Sequence, residues 1–219
     1  MTVTRGERAA RRLETLLTRE RELWASGFLR IAGVDEAGVG PLAGPVVAAA
    51  VIFQPGFGLP GVDDSKKVTP ERRETLSLAI RDAALAFSVA IVEPEEIDRI
   101  NVYQATLAAM GRAVDGLSIK PQHVLVDARR IPGCDLPQEA IIRGDAHCHA
   151  IAAASILAKT TRDALMRRYD DEFPGYGFAA HKGYPTESHR DAIRRLGPCA
   201  IHRLSFALLP SPKLWTEPL

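Results

Sequence analysis

Apolar positions come in two kinds along this chain: short runs of alternating or β-branched residues, mostly early, and longer stretches of helical period, mostly late. Residues 7 to 25 place Leu13, Leu16, Leu17 and Leu23 among many charges, which predicts one amphipathic helix on the outside of a domain. Ile31 to Val51 holds two apolar runs separated by a glycine-rich turn at Gly38–Pro41, which predicts a strand, a turn and a second strand over residues 45–53, paired as an antiparallel hairpin. Gln54 to Gly61 is rich in Gly and Pro and reads as loop. Thr69 is a good N-cap and Pro70 a good first helical residue, so a helix should run to about Ala84, although Arg72 stands where a capping box would carry an acid.

Further on, Phe87–Val92 reads as a third strand, and Asn101–Leu117 as a helix with Leu107, Met110 and Val114 inward. Val124–Asp127 is a short buried strand ending on an acid, and Ile141–Ile142 adds another. His147–Asp170 is a long Ala-rich helix and Glu187–Leu196 a shorter one; the tail from Phe206, with Pro210, Pro212 and Pro218, should lie along the surface. This order suits an α/β or α+β domain with a mixed sheet. There is no internal repeat and no low-complexity tract.

Composition narrows the picture. A chain of 219 residues makes one large domain, or one domain with a small appendage. Hydrophobic residues are 46% but aromatics only 6%, so the core should be Ala, Val, Leu and Ile, which favours close helix–sheet packing. A formal net charge of +1 means that any nucleic-acid surface is a local patch offset by acids elsewhere. Cys134, Cys148 and Cys199 have no paired spacing, against a disulfide framework or a zinc knuckle; Cys148, between His147 and His149, reads as an idle or buried thiol. The N-terminus is too charged for a secretory signal, and no apolar run is long enough to cross a bilayer, so a soluble cytoplasmic protein is expected.

Four acids stand in similar places. Asp35 and Glu36 end the first strand, Asp127 ends another, and Asp145 precedes the long helix. Burying carboxylates without partners costs several kcal/mol or more. Ends of neighbouring strands share one edge of a sheet, so these acids can converge, and three or four oxygen ligands suit Mg²⁺ or Mn²⁺. Two such ions stabilise the attacking and leaving oxygens of a phosphodiester hydrolysis. Plainer readings are a hairpin turn that begins with acids, a turn residue at Asp127, and a helix N-cap at Asp145. His181-Lys182-Gly183-Tyr184 supplies a cation for phosphate and a ring for stacking, or is an ordinary surface loop. Lys66 and Lys67, beside Ser65, make another basic spot or a solvated approach to a helix.

Taken together, GVDEAGVGPLAGPVVAAAV, DDSKKVTPERRE, NVYQATLAAM, VLVDARR, GDAHCHAIAAASILAKTTRD, YGFAAHKGYPTESH and GPCAIHRLSF resemble bacterial type 2 ribonuclease H, ribonuclease HII, from about Ile31 to Phe206 and in that family's order. The resemblance implies a ribonuclease H-like α/β fold: a mixed central sheet flanked by helices, with a helical C-terminal part. It implies a catalytic domain over residues 29–219 behind an N-terminal helical extension, residues 1–28. It further implies endonucleolytic cutting of the RNA strand of RNA–DNA hybrids, and incision at ribonucleotides embedded in duplex DNA, as in ribonucleotide excision repair, leaving 3′-hydroxyl and 5′-phosphate ends. Asp35, Glu36, Asp127 and Asp145 match the metal-binding catalytic acids, with two Mg²⁺ or Mn²⁺ ions during catalysis. Tyr184 matches the tyrosine that stacks on a sugar, and Gly38, Val39 and Gly40 the turn that feels the 2′-hydroxyl. Lys66 and Lys182 are further candidate substrate contacts. A monomer is expected; FALLPSPKLW is a weak candidate for contact with a sliding clamp.

The chain also departs from the family. It has Val39 where the turn usually carries arginine, Ala128 where glycine usually follows the strand-ending Asp127, and Pro185 after Tyr184. The valine forfeits a charged contact, so cutting at single ribonucleotides should be reduced. The alanine disfavours a positive φ, so the loop after Asp127 should be displaced. A non-catalytic hybrid-binding protein of the same fold is the alternative, and four intact acids argue against it.

Overall fold

A computed structural model describes residues 4 to 209. In chain order the elements are α1 (Arg5–Leu16), α2 (Thr18–Ala25), β1 (Ile31–Ala37), β2 (Val46–Ile52), α3 (Pro70–Ala83), β3 (Ala86–Val92), α4 (Pro94–Ile100), α5 (Val102–Asp115), β4 (His123–Asp127), β5 (Gln138–Ile141), a 3-10 turn (Gly144–Ala146), α6 (His149–Glu172), α7 (Phe178–His181) and α8 (Glu187–Leu196).

The strands form one mixed sheet in the order β3-β2-β1-β4-β5. β1 pairs antiparallel with β2, and β2 with β3, while β4 runs parallel to β1 and β5 parallel to β4. Every residue of β2 is buried, because its two faces serve two cores. Val46, Ala48, Ala50 and Ile52 pack with Ala109, Met110 and Ala113 of α5. Val47, Ala49 and Val51 pack with Ile80 of α3 and with Ala153, Ile156 and Leu157 of α6. The period of two along a strand divides the side chains this way, and the small Ala residues let helices approach closely. Gly33 of β1 makes the closest approach: a Cβ there would run into the backbone of Ala150 and Ile151, in the first turn of α6.

Several boundaries differ from the sequence-based expectation. The single N-terminal helix is two, parted at Leu17, and it does more than cover the outside: Leu16, Leu17, Leu23 and the carboxylate-bearing Glu20 are all buried. Helix α4, opened by Pro94, was not anticipated. Asp145 lies in the 3-10 turn and is not an N-cap; that position before α6 belongs to Cys148. Ala128 takes φ 55°, so alanine adopts the left-handed conformation that its side chain disfavours. Among the described residues no helix is long and apolar enough to cross a membrane. The expected surface course of the tail, and most of FALLPSPKLW, fall on residues 210–219, outside the described residues.

Candidate active site

Parallel pairing brings the carboxyl ends of β1 and β4 to the same edge of the sheet. Their register ends at Val34 and Val126, so the next residues, Asp35 and Asp127, stand where the two strands part. One oxygen each of Asp35, Glu36 and Asp127 lies within 4.8 Å of the others. The Glu36 N–H donates to Asp35 Oδ1 at 2.8 Å, and the Gly144 N–H donates to Asp127 Oδ1 at 2.6 Å. A Cβ at position 144 would lie 2.5 Å from the terminal methyl of Ile151, so a larger residue there would push that side chain aside.

Asp145 follows immediately. It is buried, but it is not one of the three acids that share the 4.8 Å cluster. Its nearest cation is the exposed Lys66 Nζ, 3.7 Å from Oδ2, and Asp64 and Asp127 lie close enough to influence its charge.

Burial pushes the Asp35 carboxyl well above the usual carboxylate range, and the charges of Glu36 and Asp127 push it further. Burial also raises Glu36; Arg129, with Nη1 3.4 Å from Oε1, opposes the shift. Burial raises Asp145, with the Asp64 charge adding to it. Glu36 Oε2 is buried and has no hydrogen-bond partner. The cluster therefore holds several carboxylates, only hard oxygen donors, and little compensating charge. Such a set fits a divalent cation such as Mg²⁺ or Mn²⁺.

Beside the acids, two buried arginines hold the glycine turn. Both are fully buried. Arg203 donates to the carbonyls of Gly38 (2.5 Å), Val39 (2.9 Å) and Gly44 (2.9 Å). Arg162 donates to those of Pro45 (3.0 Å), Ala43 (3.1 Å) and Lys182 (3.0 Å). Burial lowers the guanidinium of Arg203 to about 9 and that of Arg162 to about 10. Gly38, at φ 97°, passes so close to the Arg162 side chain that a Cβ would overlap it. Sequence reasoning missed both arginines, because an arginine in a polar stretch reads as surface. The only signal was their place inside the quoted motifs.

Tyr184 is 42% exposed, and its ring approaches Gly40. The guanidinium carbon of Arg162 lies 5.9 Å, and Lys159 Nζ 6.0 Å, from the ring centre. Tyr184 thus lines one groove with Glu36, the glycine turn, Lys66 and Lys159. Below the groove, His189 Nδ1 lies 3.0 Å from the Tyr184 carbonyl, His189 Nε2 lies 3.2 Å from His202 Nε2, and the Cys199 N–H donates to His202 Nδ1 at 2.9 Å. With the Cys199 N–H donating to it, His202 Nδ1 is an acceptor, which puts that ring's proton on Nε2. His189 donates from Nδ1, and its bare Nε2 accepts from the Nε2–H of His202.

Lys182 sits in a left-handed conformation with its ammonium on the Ala179 carbonyl, and Lys66 is exposed at the groove's mouth. Arg129, one of the two arginines after Asp127, lies over the Tyr103 ring as well as beside Glu36.

The family model for ribonuclease HII matches residues 32–209. A ribonuclease HII of Myxococcus xanthus is 59% identical over 197 residues, 90% of this chain and 67% of its own. One of Moorella thermoacetica is 53% identical over 206 residues, 94% of this chain and 99% of its own. Among solved structures, the ribonuclease H2 of Pyrococcus horikoshii superposes with a TM-score of 0.70 at 28% identity, covering 82% of this chain and 94% of that one.

Proposed function

Because this chain belongs to the ribonuclease HII family, with ribonuclease H activity, we propose that it is a divalent-metal-dependent endoribonuclease. It hydrolyses the RNA strand of RNA–DNA hybrids and also incises duplex DNA at single ribonucleotides, leaving 3′-hydroxyl and 5′-phosphate ends. The observation that carries the reading is the meeting of Asp35, Glu36 and Asp127 within 4.8 Å, with Glu36 also lining the groove of the glycine turn and Tyr184. Residues 29–219 form the catalytic domain. An RNA–DNA substrate and three free cysteines suit a cytoplasmic setting.

Asp35, Glu36 and Asp127 would hold the ions, with Asp145 completing the set from the adjoining turn. Bound there, divalent ions supply Lewis acidity at the phosphodiester and offset charge on the attacking and leaving oxygens. The chain's own groups do the rest. Arg203 and Arg162 pull the carbonyls of the glycine-turn region inward, which leaves main-chain N–H groups of the turn to meet a 2′-hydroxyl, the group that separates RNA from DNA. Tyr184 supplies a flat face for a sugar or base. Lys66, which lines the groove, would hold a phosphate, and Lys182 would do so once its ammonium leaves the Ala179 carbonyl.

Val39 offers no charge to the nucleic-acid backbone. A charge-assisted hydrogen bond is worth roughly 1.5–3 kcal/mol, so cutting at an isolated ribonucleotide is weakened more than cutting within an RNA run, where successive sites share the binding. Labelled substrates test the whole reading: a hybrid, a duplex with one ribonucleotide, and all-DNA, each with Mg²⁺ or Mn²⁺. Metal-dependent cutting of the first two, on the 5′ side of a ribonucleotide, is expected; retention of the hybrid without cutting would leave a binding protein instead.

A further inference from the structure

Helix α6 begins beside the acid cluster, and its own sequence does not cap it. Its N-cap, Cys148, makes no side-chain hydrogen bond, which leaves first-turn N–H groups needing acceptors. Glu20, from α2, supplies one: Oε1 accepts the Ala150 N–H at 2.9 Å. Glu20 is only 2% exposed, and its Oε2 has no partner. A carboxylate in that position is costly, and the α6 N-terminus is the feature that offsets the cost. The turn it secures is the one that rests on Gly33 of β1, two residues before Asp35.

A second tie comes from α1. Arg12 grips both oxygens of Asp63, Nε to Oδ2 at 2.9 Å and Nη2 to Oδ1 at 2.6 Å, and Nη2 also donates to the Ala146 carbonyl at 2.9 Å. One guanidinium thereby joins the loop of Asp63 and Lys66 to the 3-10 turn of Asp145. A third tie fastens α2 to β5: Arg19 donates to Glu139 Oε2 at 2.7 and 2.9 Å. The segment from Gly144 to Ala150 is thus held at Ala146 and at Ala150 by residues more than a hundred positions earlier. Within it lie the Gly144 N–H on Asp127 and the Asp145 carboxylate.

We propose that Arg12 and Glu20 are positioning residues for the metal-binding acids: α1 and α2 brace the 144–150 segment so that Asp145 and Asp127 are held against the acids of β1. This rests on the reading of Asp145 as a metal ligand given above. Groups that orient ligands without touching the ion change metal affinity by roughly 10–100-fold when removed.

The test measures Mn²⁺ binding to the whole protein without substrate, from the electron paramagnetic resonance of free Mn²⁺, beside kcat and KM on a hybrid. Arg12→Ala should weaken Mn²⁺ binding about tenfold, raise the Mn²⁺ needed for half-maximal cutting by the same factor, and leave KM for the hybrid within about twofold. Glu20→Ala should behave alike, and Glu20→Gln, which keeps an accepting oxygen, should restore most of the affinity. Should Glu20→Ala not fold, Arg12→Ala decides alone, because the Arg12 side chain is 31% exposed, unlike the buried Glu20. Wild-type Mn²⁺ affinity in folded Arg12→Ala overturns the brace. Asp145→Asn separates the two readings: unchanged Mn²⁺ affinity there sinks Asp145 as a ligand, whereas weakened affinity there with none in Arg12→Ala sinks the brace alone.

Discussion

Arg203 holds Val39 by its main-chain carbonyl, at 2.9 Å and across 164 positions of chain. The tie leaves the valine side chain free to vary while fixing the backbone of the turn, which we propose reads the 2′-hydroxyl. Arg203→Lys keeps a charge but loses the fork that reaches three carbonyls. Buried acceptors left unpaired cost about 1–3 kcal/mol each, so a stability loss of about 2–3 kcal/mol is expected by urea unfolding. Steady-state kinetics should show kcat/KM falling more than about tenfold on a duplex with one ribonucleotide, and less on a hybrid, where more than one 2′-hydroxyl is within reach. Equal losses on both substrates would mean that the turn does not read the ribose.

Position 39 itself is tested by adding what is missing. Val39→Arg restores a charge at the groove wall beside Tyr184. Incision at a single ribonucleotide should rise about tenfold to a hundredfold, the worth of one charge-assisted contact, while hybrid cutting changes less. An unchanged ratio between the two substrates would remove valine as the cause of any weakness.

The support beneath Tyr184 depends on pH. Burial pushes His189 down to about 4, although its bond to the Tyr184 carbonyl pulls the other way, and burial lowers His202 as well. The unfolded chain takes up a proton near the ordinary histidine value, about 6.5, but folded His189 refuses it until about 4, since a proton on Nε2 would face the Nε2–H of His202. The unfolded state therefore binds more protons in that window. Stability is fully present above about pH 6.5 and declines as pH falls toward about 4, by up to about 1.4 kcal/mol per pH unit for each such histidine. His189→Asn keeps an N–H for the Tyr184 carbonyl and removes the titration. Urea midpoints measured across this range should fall less steeply for the variant; parallel curves would contradict the wiring.

The sheet was largely legible, because alternation marks strands whose two faces meet different helices: β1, β2, β3 and β4 lie where their apolar runs placed them. The hairpin of β1 and β2 followed from the glycine turn between them. Less legible were breaks that depend on tertiary packing. Leu17 interrupts a continuous helical period, and Leu16, Leu17 and Leu23 around the break are all buried. Asp145 had the residue type of an N-cap, but it lies within the 3-10 turn ahead of α6. The meeting of Asp35, Glu36 and Asp127 is the arrangement that their strand-end positions suggested, and Asp145 stands outside it. The buried charges had no local signature at all. Arg162, Arg203 and Glu20 sit in stretches with ordinary surface composition, and only their long-range carbonyl and amide partners show why they are inside.

The account turns on Asp35, whose carboxyl is buried against two other acids and gains its purpose only from a cation. The most direct measurement is the rate at which Asp35→Asn cuts a labelled RNA–DNA hybrid in saturating Mg²⁺ or Mn²⁺, compared with the unaltered protein. A fall of about a thousandfold or more is expected, since several kcal/mol of transition-state stabilisation would be lost. The variant should remain folded and, free of metal, become more stable at neutral pH, where a buried like charge has been removed. Cutting at the unaltered rate would show that the cluster at the ends of β1 and β4 is not where the chemistry occurs.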